Sequence, residues 1–246
     1  MPMQPGEPVV MTVAEMSRQA HGHFVSDLKK RRSRNLLHTI RYASLLADSI
    51  VDSMPNPHTA CGEGCSSCCE TYVLVSIPEA IAIASHVTTQ DTGQKRPEIL
   101  RRLRELAAAR KTLRWDQIKP APCAFLVNRR CSIYAARPIP CRRYHALGSS
   151  AACDLYVLKG GGALADDTTA TVDKRRMDAV KAVAIELAEA CRELKLESSR
   201  VELSAAVLLV LEKPDLADRW LKGERVFASA YEPVGDVRRL PVIDGT

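Results

Sequence analysis

Aromatic residues are scarce: three phenylalanines, two tryptophans and six tyrosines in 246 residues. So few rings argue against a base-stacking surface for single-stranded nucleic acid. Long apolar runs are missing too. A stretch such as "SAAVLLVLE" at 204–212 falls far short of the ~20 residues that cross a bilayer. The opening "MPMQPGEPVVMTVAEMSRQA" has no basic start followed by an apolar segment, so neither a secretory leader nor a membrane partner is expected. A soluble, cytoplasmic protein is the expectation. No internal repeat occurs, and no Ser-His-Asp order stands out. No strand–G-x-G–helix arrangement offers a nucleotide site; "KGGGALADD" at 159–167 reads as a flexible loop. The charge balance, 35 basic against 29 acidic residues, permits an acidic partner without demanding one.

Cysteine is what the chain has. Residues 61–70 read "CGEGCSSCCE", which gives Cys61-x3-Cys65-x2-Cys68-Cys69. A second group, Cys123, Cys131, Cys141 and Cys153, follows in "PCAFLVNRRCSIYAARPIPCRRYHALGSSAAC". The total of nine is odd, so complete pairing within one chain is impossible. In a reducing compartment, clustered thiols point to metal binding or redox catalysis and not to structural disulfides. Thiolates suit zinc, copper(I) and iron–sulfur clusters. Pro122 and Pro140 stiffen the backbone just before Cys123 and Cys141. The spacing Cys65-x2-Cys68 is thioredoxin-like, but it lies in a loop crowded with thiols and outside any βαβ pattern, so ligation is the better reading.

Hydrophobic periodicity predicts a mainly α-helical fold. Val13, Met16, Ala20, Phe24 and Leu28, then Leu36, Ile40, Ala43 and Ile50, fit one long helix or two shorter ones over 12–53. "MPNPHTA" stops that pattern. Thr71–Val75 could form a short strand, with Ser76 as N-cap of the next helix. Further helices are expected over 97–113, 172–195, 200–212 and 214–222, with a tail of about twenty residues at the end. The organisation is a helical segment (1–57), a cysteine-cluster region (58–155) and a second helical segment (156–246), together one compact domain. Helices flank a loop-rich, cysteine-dense metal-binding centre with at most a short strand pair. A segment so poor in apolar burial needs a bound metal to order it.

The two cysteine blocks resemble the YkgJ-type cysteine-cluster family, described as a zinc- or iron-chelating domain and named for a CxxCxxCC pattern. The second block looks like that family's C-P-F-L … C-x-I-Y-x-x-R-P-x-x-C-R signature. The resemblance implies metal ligation by Cys61, Cys65, Cys68 and Cys69 from the first motif and by Cys123, Cys131 and Cys141 from the second. Cys153 resembles a further cysteine of some members. Two departures stand out: the first gap has three residues in place of two, and Ala124 stands where proline is usual. The resemblance spans about residues 58–155. The family is similar to flagellin lysine N-methylases, which implies S-adenosylmethionine as a cofactor if this chain were such an enzyme.

Other residues invite two readings. Cys191 sits in a helical pattern and reads as a buried structural thiol. His145 and His58 lie near the cysteines and could each replace one sulfur. His21 and His23 face different ways on a helix and read as surface residues. "KKRRSR" at 29–34 could meet nucleic acid or an acidic lipid surface, but reads better as a solvated face. Arg129, Arg130, Arg137, Arg142 and Arg143 either offset thiolate charge or are solvated loop residues. The expectation is a metal-binding protein that holds a [4Fe–4S] cluster or zinc, with an unknown protein partner or substrate. The alternatives are a cluster-dependent lysine N-methyltransferase and a metal-dependent interaction module. Iron–sulfur is preferred, because seven or eight thiols exceed what one tetrahedral zinc needs.

Overall fold

The computed structural model describes residues 12–54, 59–62, 64–90, 95–111, 117–148, 150–151, 153–154 and 172–230. In chain order the elements are α1 (Val13–Leu28), α2 (Ser33–Ser53), β1 (Leu74–Ser76), α3 (Ile77–Thr89), α4 (Lys95–Arg110), β2 (Leu126–Val127), β3 (Arg130–Cys131), α5 (Ile139–Arg142), α6 (Lys174–Glu193), β4 (Arg200–Glu202), α7 (Leu203–Glu212) and α8 (Leu216–Leu221). The fold is mainly helical. The strands form two short antiparallel pairs, and among the described residues none makes a parallel βαβ unit. No described helix is long and apolar enough to cross a membrane.

The long N-terminal periodicity resolves into two helices. The chain turns at Arg31, whose φ of 51° lies in the left-handed region. The Arg31 guanidinium donates to the carbonyls of Leu194 (2.7 Å) and Leu221 (2.8 Å), where α6 and α8 end. A cation there satisfies carbonyls that have no partner within their own helices. Lys30 pairs with Asp27 at 2.7 Å. Part of the basic run 29–34 is therefore a structural brace and not only a solvated face. Both α1 and α2 pack along α6.

β1 pairs with β4 in the register Leu74↔Glu202, Val75↔Val201 and Ser76↔Arg200. Each strand runs straight into a helix, and those helices, α3 and α7, pack together with α4 against α7. Ser76 and Glu79 form a reciprocal capping box at the start of α3. The 200–212 segment is thus not one helix. Its first three residues are strand because Val201 is buried opposite Val75, and the Glu202 carboxylate then caps α7 by accepting from the Ala205 N–H at 2.6 Å.

Among the described residues, one hydrophobic core takes side chains from α1 through Ala230. Phe24, Phe125, Trp220 and Phe227 are among its largest fully buried members. Phe227 and Ala230 pack into it, which corrects the expected tail over 227–230; residues 231–246 lie outside the described residues, as do 1–10 and the glycine loop at 159–167. The centre is less irregular than expected. β2 and β3 form a hairpin whose turn residues, Asn128 and Arg129, both have positive φ (49° and 60°). That backbone suits the twist of a two-residue hairpin turn.

Candidate metal centre

The first cysteine group enters through backbone pairing. The Ala60 N–H donates to the Ala146 carbonyl at 2.8 Å, and Thr59 bridges to Leu147. Gly64 then turns the chain with a φ of 84°, a conformation that favours glycine. A short 3₁₀ turn, Ser67–Glu70, carries Cys68 and Cys69. Two bonds lace this group to the second. The Ala121 N–H donates to the Glu70 carbonyl and the Cys123 N–H to the Cys69 carbonyl, both at 2.8 Å. Arg129 adds a third link, from its Nε to the Gly64 carbonyl at 3.1 Å. The β2–β3 hairpin places Cys131 opposite Leu126, and α5 carries Cys141. Cys153 belongs to a helical stretch whose neighbour Asp154 accepts a hydrogen bond from the Ser67 hydroxyl. Eight cysteines from two distant segments therefore converge on one region.

All nine cysteines are free thiols. The eight of the centre influence one another electrostatically. Cys153 feels Cys61, Cys65 and Cys68, while Cys61 feels Cys65 and Cys68. Cys69 feels Cys68, Cys123 and Cys141, and Cys141 feels Cys123, Cys68 and Cys131. Cys68 thus acts on cysteines of both groups, Cys131 included. Burial pushes the Cys123 and Cys153 thiols up to about 11, and raises Cys61, Cys131 and Cys141 as well. Backbone N–H groups pull the other way. Ala146 donates to the Cys61 sulfur at 3.3 Å, and the amides of Phe125 and Ile133 favour the charged forms of Cys123 and Cys131. N–H donors aimed at sulfur stabilise thiolate and tune a metal held by it.

Cys68 departs from this pattern. A hydrogen bond from the Cys69 thiol lowers it from 9.0 to about 7, while the same bond raises Cys69. In the reduced, metal-free chain Cys68 should therefore alkylate first, with a rate that climbs through pH ~7 instead of pH ~9, because the thiolate is the nucleophile. Mass-spectrometric mapping of iodoacetamide labelling against pH checks this. Equal labelling of all nine thiols at pH 7 would contradict it.

The arginines divide by role. Arg137 and Arg142 both act on the Cys131 thiol in the direction that favours thiolate, and Arg137 does so on Cys61 and Cys68. Arg143 stacks on the Tyr144 ring, and Arg129 holds Gly64. Arg142 is also a strut. It is 4% exposed, donates to the carbonyls of Arg137 (2.9 Å) and Ala135 (3.3 Å), and pairs with Asp48 of α2. Glu79 is a second strut. Beyond its capping box, it accepts from the Ile139 N–H at 2.6 Å and so ties α3 to the start of α5, two residues before Cys141. The capping box is readable in sequence as Ser-x-x-Glu. The reach to Ile139 has no sequence signal.

Two of the uncertain residues are placed. His145 faces the Arg142 carbonyl, with its Nε2 at 2.9 Å, and burial lowers its pKa. Cys191 lies in the core at 1% exposure, and burial pushes its thiol up to about 12. His58 lies outside the described residues.

Residues 60–155 match the model of the CxxCxxCC family, described as a "Putative zinc- or iron-chelating domain". That span includes all eight cysteines of the centre. No curated protein and no solved structure gives a significant match to the chain.

Proposed function

We propose that the CxxCxxCC domain at residues 60–155 holds an iron–sulfur centre through Cys61, Cys65, Cys68, Cys69, Cys123, Cys131, Cys141 and Cys153, and that this metal orders the middle of the fold. The observation that carries the reading is a backbone amide directed at a thiol sulfur, Ala146 N–H on Cys61 at 3.3 Å, beside the amides of Phe125 and Ile133 that favour thiolate at Cys123 and Cys131. Such donors suit sulfur that is charged and shared with a metal.

The donor set fits the group in ligand type and charge, although among the described residues no three of its sulfurs lie within 4.8 Å of one another. Four thiolates around zinc or an oxidised [4Fe–4S] cluster leave a net charge of about −2. Arg137 and Arg142 lie where they offset part of it. Eight thiols offer more ligands than one tetrahedral ion takes, which favours several metal atoms over a single zinc. Protein prepared without oxygen should be brown, carry acid-labile sulfide and bleach on reduction. A colourless preparation with stoichiometric zinc and no sulfide would overturn the iron reading and leave thiolate ligation in place.

A further inference from the structure

We propose that His23, Asp27 and His38 form a second metal site, for a divalent transition ion of the zinc class, separate from the thiolate centre. Among the described residues these are the one trio of histidine, cysteine or carboxylate groups whose ligand atoms all lie within 4.8 Å of one another. His23 and Asp27 stand four apart on α1 and so share a face. The turn at Arg31 folds α2 back and brings His38 to the same spot.

The carboxylate is divided between two tasks. Asp27 Oδ1 receives Lys30 at 2.7 Å, while Oδ2 faces His38 Nδ1 at 2.5 Å and His23 Nε2 at 3.5 Å. Lys30 thus orients the carboxylate from outside and leaves Oδ2 to the two imidazoles. Ligands about 2.0–2.2 Å from zinc sit roughly 3–3.5 Å from one another, so the site closes on an ion with small side-chain shifts.

A second observation points to a ligand. His23 Nε2, on a side chain 36% exposed, is itself shielded from solvent and makes no hydrogen bond; its polar contact is Asp27 Oδ2 at 3.5 Å. A metal between the two would satisfy that nitrogen. The Tyr42 ring lies 4.3 Å from the His23 ring and fixes its direction. Asp27 is 7% exposed, and its carboxylate is met by Lys30, His38 and His23. Two imidazoles and one carboxylate suit zinc, nickel, copper or iron(II) and suit calcium or magnesium poorly. His38 is 60% exposed, so the open positions of such an ion would face solvent.

Calorimetric titration of the full chain with zinc, its thiolate centre left loaded as purified, tests the proposal. The expected result is one zinc per chain, with affinity at least tenfold weaker in His38→Ala and in His23→Ala. His38→Ala alters an exposed side chain, so the fold should persist; the His38 imidazole resonances should also shift on zinc addition. His21→Ala should bind as wild type, since His21 faces Glu186 and Glu193 of α6. Equal zinc affinity in wild type and His38→Ala would overturn the site. So would equal weakening by His21→Ala, or a zinc event that survives His38→Ala and vanishes in Cys68→Ser, which would assign it to the thiolates.

Discussion

Cys68→Ser should strip the purified chain of most of its metal, while Cys191→Ala should leave the metal in place. The two thiols differ in surroundings. Cys68 sits on the 3₁₀ turn, acts on cysteines of both groups and receives the Cys69 hydrogen bond. Cys191 sits inside α6, 1% exposed, in the hydrophobic core. Loss of even an outer-shell partner typically costs about 10–100-fold in metal affinity, so loss of a ligand should cost more than ~100-fold. Cys191→Ala should instead lower stability by about 1 kcal/mol, the common size for a small core truncation. Metal analysis and urea unfolding of both variants separate the outcomes. Equal metal loss would show that Cys191 belongs to the centre.

Glu79→Ala should destabilise the chain by about 4 kcal/mol, because it orphans buried donors that cost about 1–3 kcal/mol each. The carboxylate is 2% exposed and accepts from Ser76 N, Ser76 Oγ and Ile139 N. Burial pushes its carboxyl above the ordinary 4.5, and those donors with Arg142 pull it back. Glu79→Gln should cost less, since the amide oxygen still serves one side of the clamp while its NH₂ meets donors on the other. The effect should reach the metal as well, because Ile139 opens the short helix that bears Cys141. Phe24→Ala, deep in the core on α1, should cost about 3–5 kcal/mol yet spare metal content. If Glu79→Ala and Phe24→Ala retain equal metal after urea titration, Glu79 braces the fold alone and does not position the cysteine.

What the sequence made legible was local. The apolar steps of α1, α2 and α6, the Ser76 cap and both cysteine blocks could all be read from short spacings. What escaped reading depends on partners far apart in the chain. Residues 200–202 look helical beside α7, and only pairing with Val75 makes them a strand. Phe227 looks like tail until the core closes over it. The two-residue spacing of His21 and His23 predicts surface residues that face apart; they do point apart, but both are half-buried, His21 against α6 and His23 against α2. The four-residue step from His23 to Asp27 was visible in the sequence, but its meaning depends on His38, which arrives only through the turn at Arg31. The site arginines show the same limit. Composition placed five near the thiols, yet which of them act on sulfur and which brace backbone is set by the tertiary path.

The bond from Cys123 N–H to the Cys69 carbonyl also bears on biogenesis. The first four thiols leave the ribosome before any cysteine of the second group exists to meet them. At about 5–20 residues per second, the nascent chain carries those thiols without partners for roughly ten seconds before Cys153 appears. During that interval adjacent Cys68 and Cys69 are open to oxidants and to stray metals. Loading of the proposed centre is therefore a late event in synthesis, and a chain stalled between the two cysteine groups would present reactive thiols with no means of closing it.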